Sequence, residues 1–470
     1  MNSCLDDRCI RWDNICFSFS ETAGRNTLEQ VSLTVCANRF TVITGPSGCG
    51  KSTLLSLAAG IYPANGGFLR SGSVTVDGVN PGSLPPEKRV SLLCMMFQNP
   101  DLQFCMDTVE QELIFCMENI SLPVEQMDRR LSEALEFCSI SHLRTRRLAT
   151  LSGGEKQKAM LACTVVLQPR WLLLDEPFAN IDEESAAELV DKLHRLHREF
   201  GIGIVAVDHN PELWKNALDE WIELSADGTV CQTGNALPER FSQPYQTQLP
   251  FKQSGGTAIS VQNLTLRKGS QPILDGLSAC FEAGKIHAIL GPSGCGKSTF
   301  FHALCGMEPC EGSILVNGTE LRHIRRKHLG RTMGFVFQNP QDQFVADTVW
   351  EEISISLGGK TEESKRILQE IGLWRHRKLS PYMLSQGQQR RLGTAALLAY
   401  RCRILICDEP TYAQDRANVI AIMEELQHRV VRDGLTLIFS THDRRLAESY
   451  ADRVYHIKEG KLIADDQSGL

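Results

Sequence analysis

One nine-residue sequence occurs twice in this chain, and this repeat constrains the fold more than any other feature. Gly-Pro-Ser-Gly-Cys-Gly-Lys-Ser-Thr begins at Gly45 and again at Gly291. Other segments recur in the same order, including Leu-Ser-Gly-Gly-Glu at Leu151 and Leu-Ser-Gln-Gly-Gln at Leu384, which lie 233 residues apart. A unit of that length can build its own core. The chain is therefore predicted to contain two copies of one domain.

Composition and charge exclude several classes of protein. Of the 470 residues, 42% are hydrophobic and 22% are charged, which is typical of globular proteins and not of disordered chains. The net charge of −7 argues against a protein that wraps nucleic acid, so no nucleic-acid partner is expected. The 17 cysteines include no Cys-x-x-Cys pair, which favours reduced thiols in the core over zinc sites.

The chain is also expected to lack a membrane span of its own. Residues 1–11 contain no apolar segment typical of a secretory signal. The apolar runs are far shorter than the roughly 20 residues that cross a bilayer. The protein is therefore expected to reach a membrane only through a partner.

The coarse organisation predicts an α/β fold in each copy. In the first copy, short runs rich in Val, Ile and Leu alternate with amphipathic helical patterns, which is typical of a mainly parallel sheet flanked by helices. We place the first domain at residues 1–239 and the second at residues 258–470. Residues 240–257, rich in Gln, Pro, Ser and Gly, are predicted to be the linker.

The nine-residue repeat matches the phosphate-loop pattern G-x-x-x-x-G-K-[ST]. Its glycines let backbone N–H groups surround an anion, and the following helix adds its positive N-terminal dipole. The lysine of each loop is predicted to reach the β- and γ-phosphates of a nucleotide, and the first hydroxyl after it is predicted to bind Mg²⁺. The predicted ATP-binding residues are Gly45, Pro46, Ser47, Gly48, Cys49, Gly50, Lys51, Ser52 and Thr53, and Gly291, Pro292, Ser293, Gly294, Cys295, Gly296, Lys297, Ser298 and Thr299.

Acidic residues follow an apolar strand in each copy. Asp175 and Asp408 are placed to hold Mg²⁺, and the next residues, Glu176 and Glu409, to polarise an attacking water. In both copies a histidine lies 34 residues beyond the aspartate. These histidines, His209 and His442, are predicted to bridge the γ-phosphate and the water.

A third motif occurs in each copy. In the first copy it is predicted to begin a helix, with its serine as the N-cap and glycines that allow a phosphate to approach closely. The residues are Ser152, Gly153, Gly154 and Glu155 in the first copy, and Ser385, Gln386, Gly387 and Gln388 in the second.

Together, these motifs resemble a tandem pair of ABC-transporter ATPase domains over nearly the whole chain. The resemblance implies an antiparallel β subdomain and a helical signature subdomain in each half. It also implies a pseudo-dimer in which each ATP, with Mg²⁺, lies between the Walker A loop of one half and the signature motif of the other. Gln98 and Gln338 match the glutamine-loop residues that contact Mg²⁺, and Asp182 and Asp415 match the D-loop aspartates.

The second copy departs from the family pattern in two places. Gln386 replaces the first signature glycine, so the site that contains Lys51 is expected to turn over more slowly. Phe19 matches the aromatic residue that stacks on adenine, but the corresponding position in the second half is Lys268. We therefore expect two unequal sites.

The glutamine-loop segments indicate which type of ABC transporter the chain resembles. Phe-Gln-Asn-Pro-Asp-Leu-Gln-Phe at Phe97 and Phe-Gln-Asn-Pro-Gln-Asp-Gln-Phe at Phe337 are each followed by Asp-Thr-Val. They resemble those of energy-coupling factor importers, which take up vitamins or metal ions. This implies a peripheral ATPase on the cytoplasmic face of the membrane, and membrane partners of two kinds: a T component and a substrate-binding S component. The contacts are expected at residues 98–109 (Gln98 to Val109) and 338–349 (Gln338 to Val349).

The sequence leaves two alternatives open. The chain could be a soluble tandem ABC ATPase that acts on ribosomes or DNA, although residues 240–257 are short and nearly uncharged and no coiled-coil or zinc insertion is evident. It could also be the ATPase of another type of ABC importer or of an exporter.

Overall fold

The computed structural model describes most of the chain. The described residues are 8–21, 26–178, 181, 183–209, 211–245, 255–268, 271–292, 294–384, 386–399, 402–411, 414–458 and 460–464. Three residues named above, Asp182, Ser293 and Ser385, lie outside this part, as do the side chains of Lys268 and Gln386. The chain divides into two compact units, on either side of the Gln243–Pro244 bond. We call these units the first half and the second half.

The first half contains nine strands and six α-helices in the described residues. The strands are β1 (Cys9–Ser18), β2 (Leu28–Cys36), β3 (Phe40–Thr44), β4 (Phe68–Val76), β5 (Leu93–Met96), β6 (Trp171–Asp175), β7 (Gly203–Val207), β8 (Glu220–Leu224) and β9 (Val230–Gly234). The helices are α1 (Lys51–Ala58), α2 (Pro86–Leu92), α3 (Val109–Asn119), α4 (Val124–Phe137), α5 (Gly153–Leu167) and α6 (Glu183–Phe200).

The second half repeats this order, with a further short strand and a further helix among its described residues. Its strands are β10 (Thr257–Lys268), β11 (Gln271–Glu282), β12 (Ile286–Leu290), β13 (Glu311–Val316), β14 (Thr319–Glu320), β15 (Met333–Val336), β16 (Ile404–Cys407), β17 (Thr436–Thr441), β18 (Arg453–Lys458) and β19 (Lys461–Ala464). Its helices are α7 (Lys297–Leu304), α8 (Arg326–Thr332), α9 (Val349–Ser356), α10 (Thr361–Glu370), α11 (Gln386–Ala399), α12 (Arg416–Asp433) and α13 (Arg444–Tyr450).

Each half is built on a six-stranded sheet, with strand order β5-β6-β7-β3-β8-β9 in the first and β15-β16-β17-β12-β18-β19 in the second. Neighbouring strands are parallel except at the last pair. The central strands β3 and β12 are buried along their whole length, which explains why most of their residues are apolar. The predicted α/β fold is confirmed.

A smaller antiparallel sheet accompanies each large one. In the first half its order is β2-β1-β4, and in the second it is β11-β10-β13-β14. Helices α3, α4 and α5 pack on one another in the first half, and α9 packs on both α10 and α11 in the second. The capping boxes formed by Thr108 with Gln111 and by Thr348 with Glu351 fix where α3 and α9 begin.

Two residues in the first part of the predicted linker pack against folded structure. The guanidinium of Arg240 lies 5.5 Å from the ring centre of Trp221 in the first half. Tyr245 donates a hydrogen bond to Asp443 in the second half at 3.2 Å. The domain limits themselves remain predictions. Within the described ranges, no helix combines the length and the apolar character that crossing a bilayer requires.

Candidate nucleotide-binding sites

The phosphate loop, the acidic residues and the histidine of each half meet at the carboxyl edge of the large sheet. In the first half, the phosphate loop follows the central strand β3, while Asp175 ends β6 and His209 comes just after β7. Because β3, β6 and β7 are parallel neighbours, their carboxyl ends lie at the same edge. Open parallel sheets bind ligands at this edge.

The phosphate loop of the first half surrounds a buried lysine. The ammonium of Lys51 donates to the carbonyl oxygens of Gly45 at 2.8 Å and Pro46 at 3.0 Å. Gly50, the N-cap of α1, has a φ of 99°, and a Cβ there would lie 2.4 Å from a methyl carbon of Leu28. Only glycine therefore fits at this turn. The loop presents a cation and the N-terminus of α1 to the same space, an arrangement that fits a phosphate group.

The second half builds the same loop. Lys297 donates to Gly291 at 2.7 Å and to Pro292 at 3.1 Å. Gly296 has a φ of 102°, and a Cβ there would lie 2.6 Å from Ile273. Each loop therefore has the backbone turn and the buried cation that a nucleotide phosphate requires.

A hydroxyl and a carboxylate of the first half are paired beside the loop. Ser52 donates to Asp175 at 2.8 Å. Burial raises the pKa of Asp175 to about 6, and the hydrogen bond from Ser52 opposes that shift. Mg²⁺ is usually held by one or two such oxygen ligands, together with substrate phosphates and water. The oxygens of Ser52 and Asp175 therefore fit the protein ligands that such a Mg²⁺ site requires.

Glu176 is held by two side chains and by an unusual backbone conformation. Its carboxylate accepts a hydrogen bond from the amide of Gln98 at 2.9 Å, and it lies 2.7 Å from Nε2 of His209. Glu176 has a φ of 48°, in the left-handed region that non-glycine residues seldom adopt. Its N–H donates to the carbonyl of Val207 on β7 at 2.9 Å, which holds this turn in place.

The second half arranges its two acidic residues differently. Asp408 accepts a hydrogen bond from the hydroxyl of Ser440 on β17 at 2.6 Å. The same hydroxyl accepts from the N–H of Glu409 at 2.9 Å. Glu409 repeats the left-handed conformation, with a φ of 46°. Ser440 thus connects two acidic residues that the first half connects to separate partners.

The carboxylate of Glu409 has more cationic surroundings than that of Glu176. It lies 3.8 Å from the ammonium of Lys297 and 3.6 Å from Nδ1 of His442. Burial opposes ionisation of Glu409, but His442, Lys297 and Arg390 together lower its pKa. Burial likewise disfavours the charged form of His442, yet Glu409 raises the pKa of this imidazole.

The signature motif of the first half forms a closed cap at the start of α5. Ser152 is the N-cap, its hydroxyl accepts from the N–H of Glu155 at 3.3 Å, and its own N–H donates to the Glu155 carboxylate at 2.7 Å. A Cβ on Gly154 would lie 3.2 Å from Ser185, so this end of α5 packs closely against α6. In the second half, a Cβ on Gly387 would lie 3.0 Å from Gln414.

The aromatic residue predicted to stack on adenine is half exposed. Phe19 is 54% exposed, and its ring meets those of Phe17 and Tyr62 edge to face, at 5.1 and 5.5 Å between centres. A ring held in this way offers a flat face to solvent.

The comparison with known proteins decides the family. The sequence profile of the family described as ABC transporter matches residues 28–179 and 274–412, more than half of the chain. The chain belongs to the ABC transporter family. It is an ATP-binding subunit, and proteins of this family hydrolyse ATP and work with membrane transporter subunits. The predicted tandem of ABC ATPase domains is therefore confirmed.

Two relatives match this ABC protein over almost its full length. YkoD of Bacillus subtilis, an ATP-binding protein whose name proposes a role in HMP/thiamine import, is 32% identical, and the match covers 98% of this chain and 91% of YkoD. An ABC transporter ATP-binding protein of Methanosarcina mazei is 31% identical, over 98% of this chain and 95% of its own.

Solved structures of an archaeal ribosome recycling factor share the fold. One of them, in complex with a ribosomal stalk protein, matches with a TM-score of 0.66 at 20% identity, over 98% of this chain and 90% of that chain. At this level of identity, the likeness concerns the fold alone.

Sequence reasoning missed four residues that shape these sites. Ser440 and Arg390 contact the acidic residues of the second half directly. Glu112 accepts from two backbone N–H groups that follow the glutamine loop, and Glu352 repeats this in the second half. Glu112 and Glu352 lie 240 residues apart, as Gln98 and Gln338 do. Extending the comparison of the two copies would have found this pair.

Proposed function

We propose that this chain is the ATP-hydrolysing subunit of an energy-coupling factor importer, on the cytoplasmic face of the membrane, that serves the uptake of a vitamin or metal ion. The observation that carries this proposal is the doubled glutamine-loop segment. The import role named for YkoD supports it. Substrate specificity would lie in the S component, and a T component would receive the motion of the two halves.

In the first half, the segment after Gln98 has features that favour contact with another protein. Asn99 caps a short 3₁₀ helix, Pro100–Leu102, and the side chain of Leu102 is 81% exposed. The buried carboxylate of Glu112 binds the N–H groups of Cys105 and Met106 and so fixes the loop. An exposed apolar side chain on a rigid loop favours docking.

The second half repeats this arrangement with other side chains. Asn339 caps the 3₁₀ helix Pro340–Gln343, and Val345 is 78% exposed. Glu352 binds the N–H groups of Val345 and Ala346, both at 3.0 Å. Two similar but non-identical loops suit a membrane partner with two similar docking helices.

We further propose that ATP binds at two composite sites between the halves. One site would combine the phosphate loop of Lys51 with the signature motif at Ser385, and the other that of Lys297 with the motif at Ser152. ATP makes all its contacts only when the halves close, so its binding would favour the closed state. Loss of the γ-phosphate would then permit opening.

The roles within each composite site follow from the contacts described above. The lysines, together with the loop N–H groups, would stabilise phosphate charge. Mg²⁺ would be held by Ser52 and Asp175 with Gln98 nearby, and by Ser298, Asp408 and Gln338 in the second half. Glu176 and Glu409 would each accept a proton from the attacking water, with His209 and His442 orienting the γ-phosphate.

Co-purification tests the transporter assignment. A tagged chain is expressed with the membrane proteins encoded beside its gene and extracted in detergent. We expect it to bring down a T-type protein and a small hydrophobic S-type protein. Recovery with ribosomes and with neither membrane protein would contradict the proposal.

Charge substitutions in the loops test the docking surface. Leu102→Asp and Val345→Asp should each weaken recovery of the membrane proteins, because a charge would have to be desolvated in the interface. Met307→Asp is the matched control, since Met307 is 53% exposed and lies after α7, outside the glutamine loop. Equal recovery by all three variants would contradict the assignment of these loops.

A further inference from the structure

At one buried position, the two signature helices carry different polar side chains. Arg390 on α11 occupies the place of Gln157 on α5, because the signature motifs lie 233 residues apart in the chain. Arg390 is 3% exposed and Gln157 is 1% exposed. An arginine is seldom buried to this degree without a defined set of acceptors.

Arg390 joins two segments that carry proposed catalytic residues. Its Nη1 donates to the backbone carbonyl of Glu409 at 2.7 Å, and its Nη2 donates to the backbone carbonyl of Gln338 at 2.6 Å. The planar guanidinium fork has a fixed geometry, so these two carbonyls are held at a set separation. One side chain thus links the signature helix, the glutamine loop and the turn that carries Glu409.

The first half makes the corresponding connection in another way. Both amide atoms of Gln157 are buried and lack a hydrogen-bond partner within the described ranges. The glutamine loop is connected to the acidic turn by the side chain of Gln98, which ends on the carboxylate of Glu176. This bond occupies an oxygen that the proposed chemistry requires, whereas the bonds of Arg390 end on the main chain.

We propose that Arg390 is a positioning residue that fixes the main chain of Glu409 to the glutamine loop, so that movement of this loop is transmitted to the catalytic carboxylate of the second half. The inference rests on the proposed role of Glu409 in hydrolysis. In the second half, the glutamine loop and Glu409 are then expected to move together. In the first half, the same connection must break before Glu176 can accept a proton through that oxygen.

The test compares variants of the full chain, in the otherwise native protein. Arg390→Gln places the first half's residue in the second half and removes the fork. We expect kcat for ATP to fall by about 10- to 100-fold, the range that a displacement of roughly 1 Å can cause. The half-saturating ATP concentration should change by less than about twofold, because the phosphate loop is untouched. Arg390→Lys, which keeps one donor group, should recover part of kcat.

Two further measurements separate the possible failures. Glu409→Gln must itself lower kcat strongly; if it does not, the proposed role of Glu409 fails. If Glu409→Gln lowers kcat but Arg390→Gln leaves it unchanged, the inference about Arg390 alone is overturned. A purely structural role for Arg390 would also overturn the inference. In that case Arg390→Gln would lower kcat, raise the half-saturating ATP concentration and lower the melting temperature together. Arg390→Lys would recover none of the three.

Discussion

The two halves contain the same ordered set of motifs but surround their acidic residues differently. In the first half, Glu176 is bound by Gln98 and His209. In the second half, Glu409 lies among Lys297, His442 and the buried Arg390. Identical motif residues therefore do not produce identical electrostatic environments. The neighbouring positions that lie outside the motifs set the difference.

The central strands show the same divergence at a position outside the motifs. His287 on β12 stands where β3 has Thr41, since the phosphate-loop lysines lie 246 residues apart. Thr41 donates to Glu220 at 3.1 Å. His287 is fully buried, and its Nε2 lies 3.0 Å from the carbonyl of Glu282. The two halves should therefore respond differently to acid.

Acid sensitivity should be the largest difference. Burial lowers the pKa of His287 to about 4 from its usual 6.5, so the folded second half favours the neutral imidazole. The neutral imidazole therefore contributes to the free energy of unfolding of the second half. This contribution is fully present above pH 6.5 and is lost as the pH falls towards 4, a decrease of about 3 kcal/mol in total. Hydrogen exchange at the amides of β12, measured from pH 7 to pH 4 and corrected for intrinsic rates, reports it.

The variant His287→Thr, which copies the first half, should remove most of this pH dependence. The amides of β3 in the same sample are the internal control and should show a smaller slope. An unchanged slope at β12 in the variant would contradict the assignment to His287.

The next difference concerns Ser440, which stands where the first half has Val207. Ser440→Val removes the donor to Asp408 and the acceptor for the N–H of Glu409. Since both groups are buried, the free energy of unfolding of the second half should fall by about 2 kcal/mol. Urea unfolding followed by limited proteolysis of each half measures this. Ser440→Thr keeps the hydroxyl and should remain close to the native value; equal losses in both variants would refute this explanation.

The smallest expected difference concerns adenine binding. Phe19→Ala should weaken ATP at one of two sites by about 1 kcal/mol, roughly fivefold in Kd, because one stacking face is lost. Titration with a fluorescent ATP analogue should resolve a single weakened site, and Phe19→Tyr should bind normally. Weakening at both sites, or at neither, would argue against a stacking role confined to the first half.

Much of the fold was predictable because its signals are local and repeated. The apolar run at Phe40–Thr44 forms a strand, and the amphipathic pattern at Glu183–Phe200 forms a helix. The phosphate loops were predictable because their tight turn requires glycine at fixed positions, so the sequence pattern itself specifies the backbone conformation. The pairing of the segment before Phe40 was not, because antiparallel register depends on contacts between distant residues; the structure pairs β1 with both β2 and β4.

The surroundings of the site were harder to predict than its motifs. Ser440 and Arg390 act through bonds to residues more than 15 positions away, and sequence spacing does not reveal such contacts. A polar residue in the apolar strand β17 was the available signal for Ser440. For Arg390, the signal was a charge at a position where the other copy has an amide.

The central claim is that the two halves form two unequal composite ATP sites, and the most direct test compares Glu176→Gln with Glu409→Gln. The site of Glu176 would be completed by the signature motif that contains Gln386, and the site of Glu409 by the motif of Ser152. Steady-state ATPase rates should therefore fall much further in Glu409→Gln than in Glu176→Gln, because loss of a general base typically costs about 10²- to 10⁴-fold at the site it serves. Equal residual rates in the two variants would contradict the account.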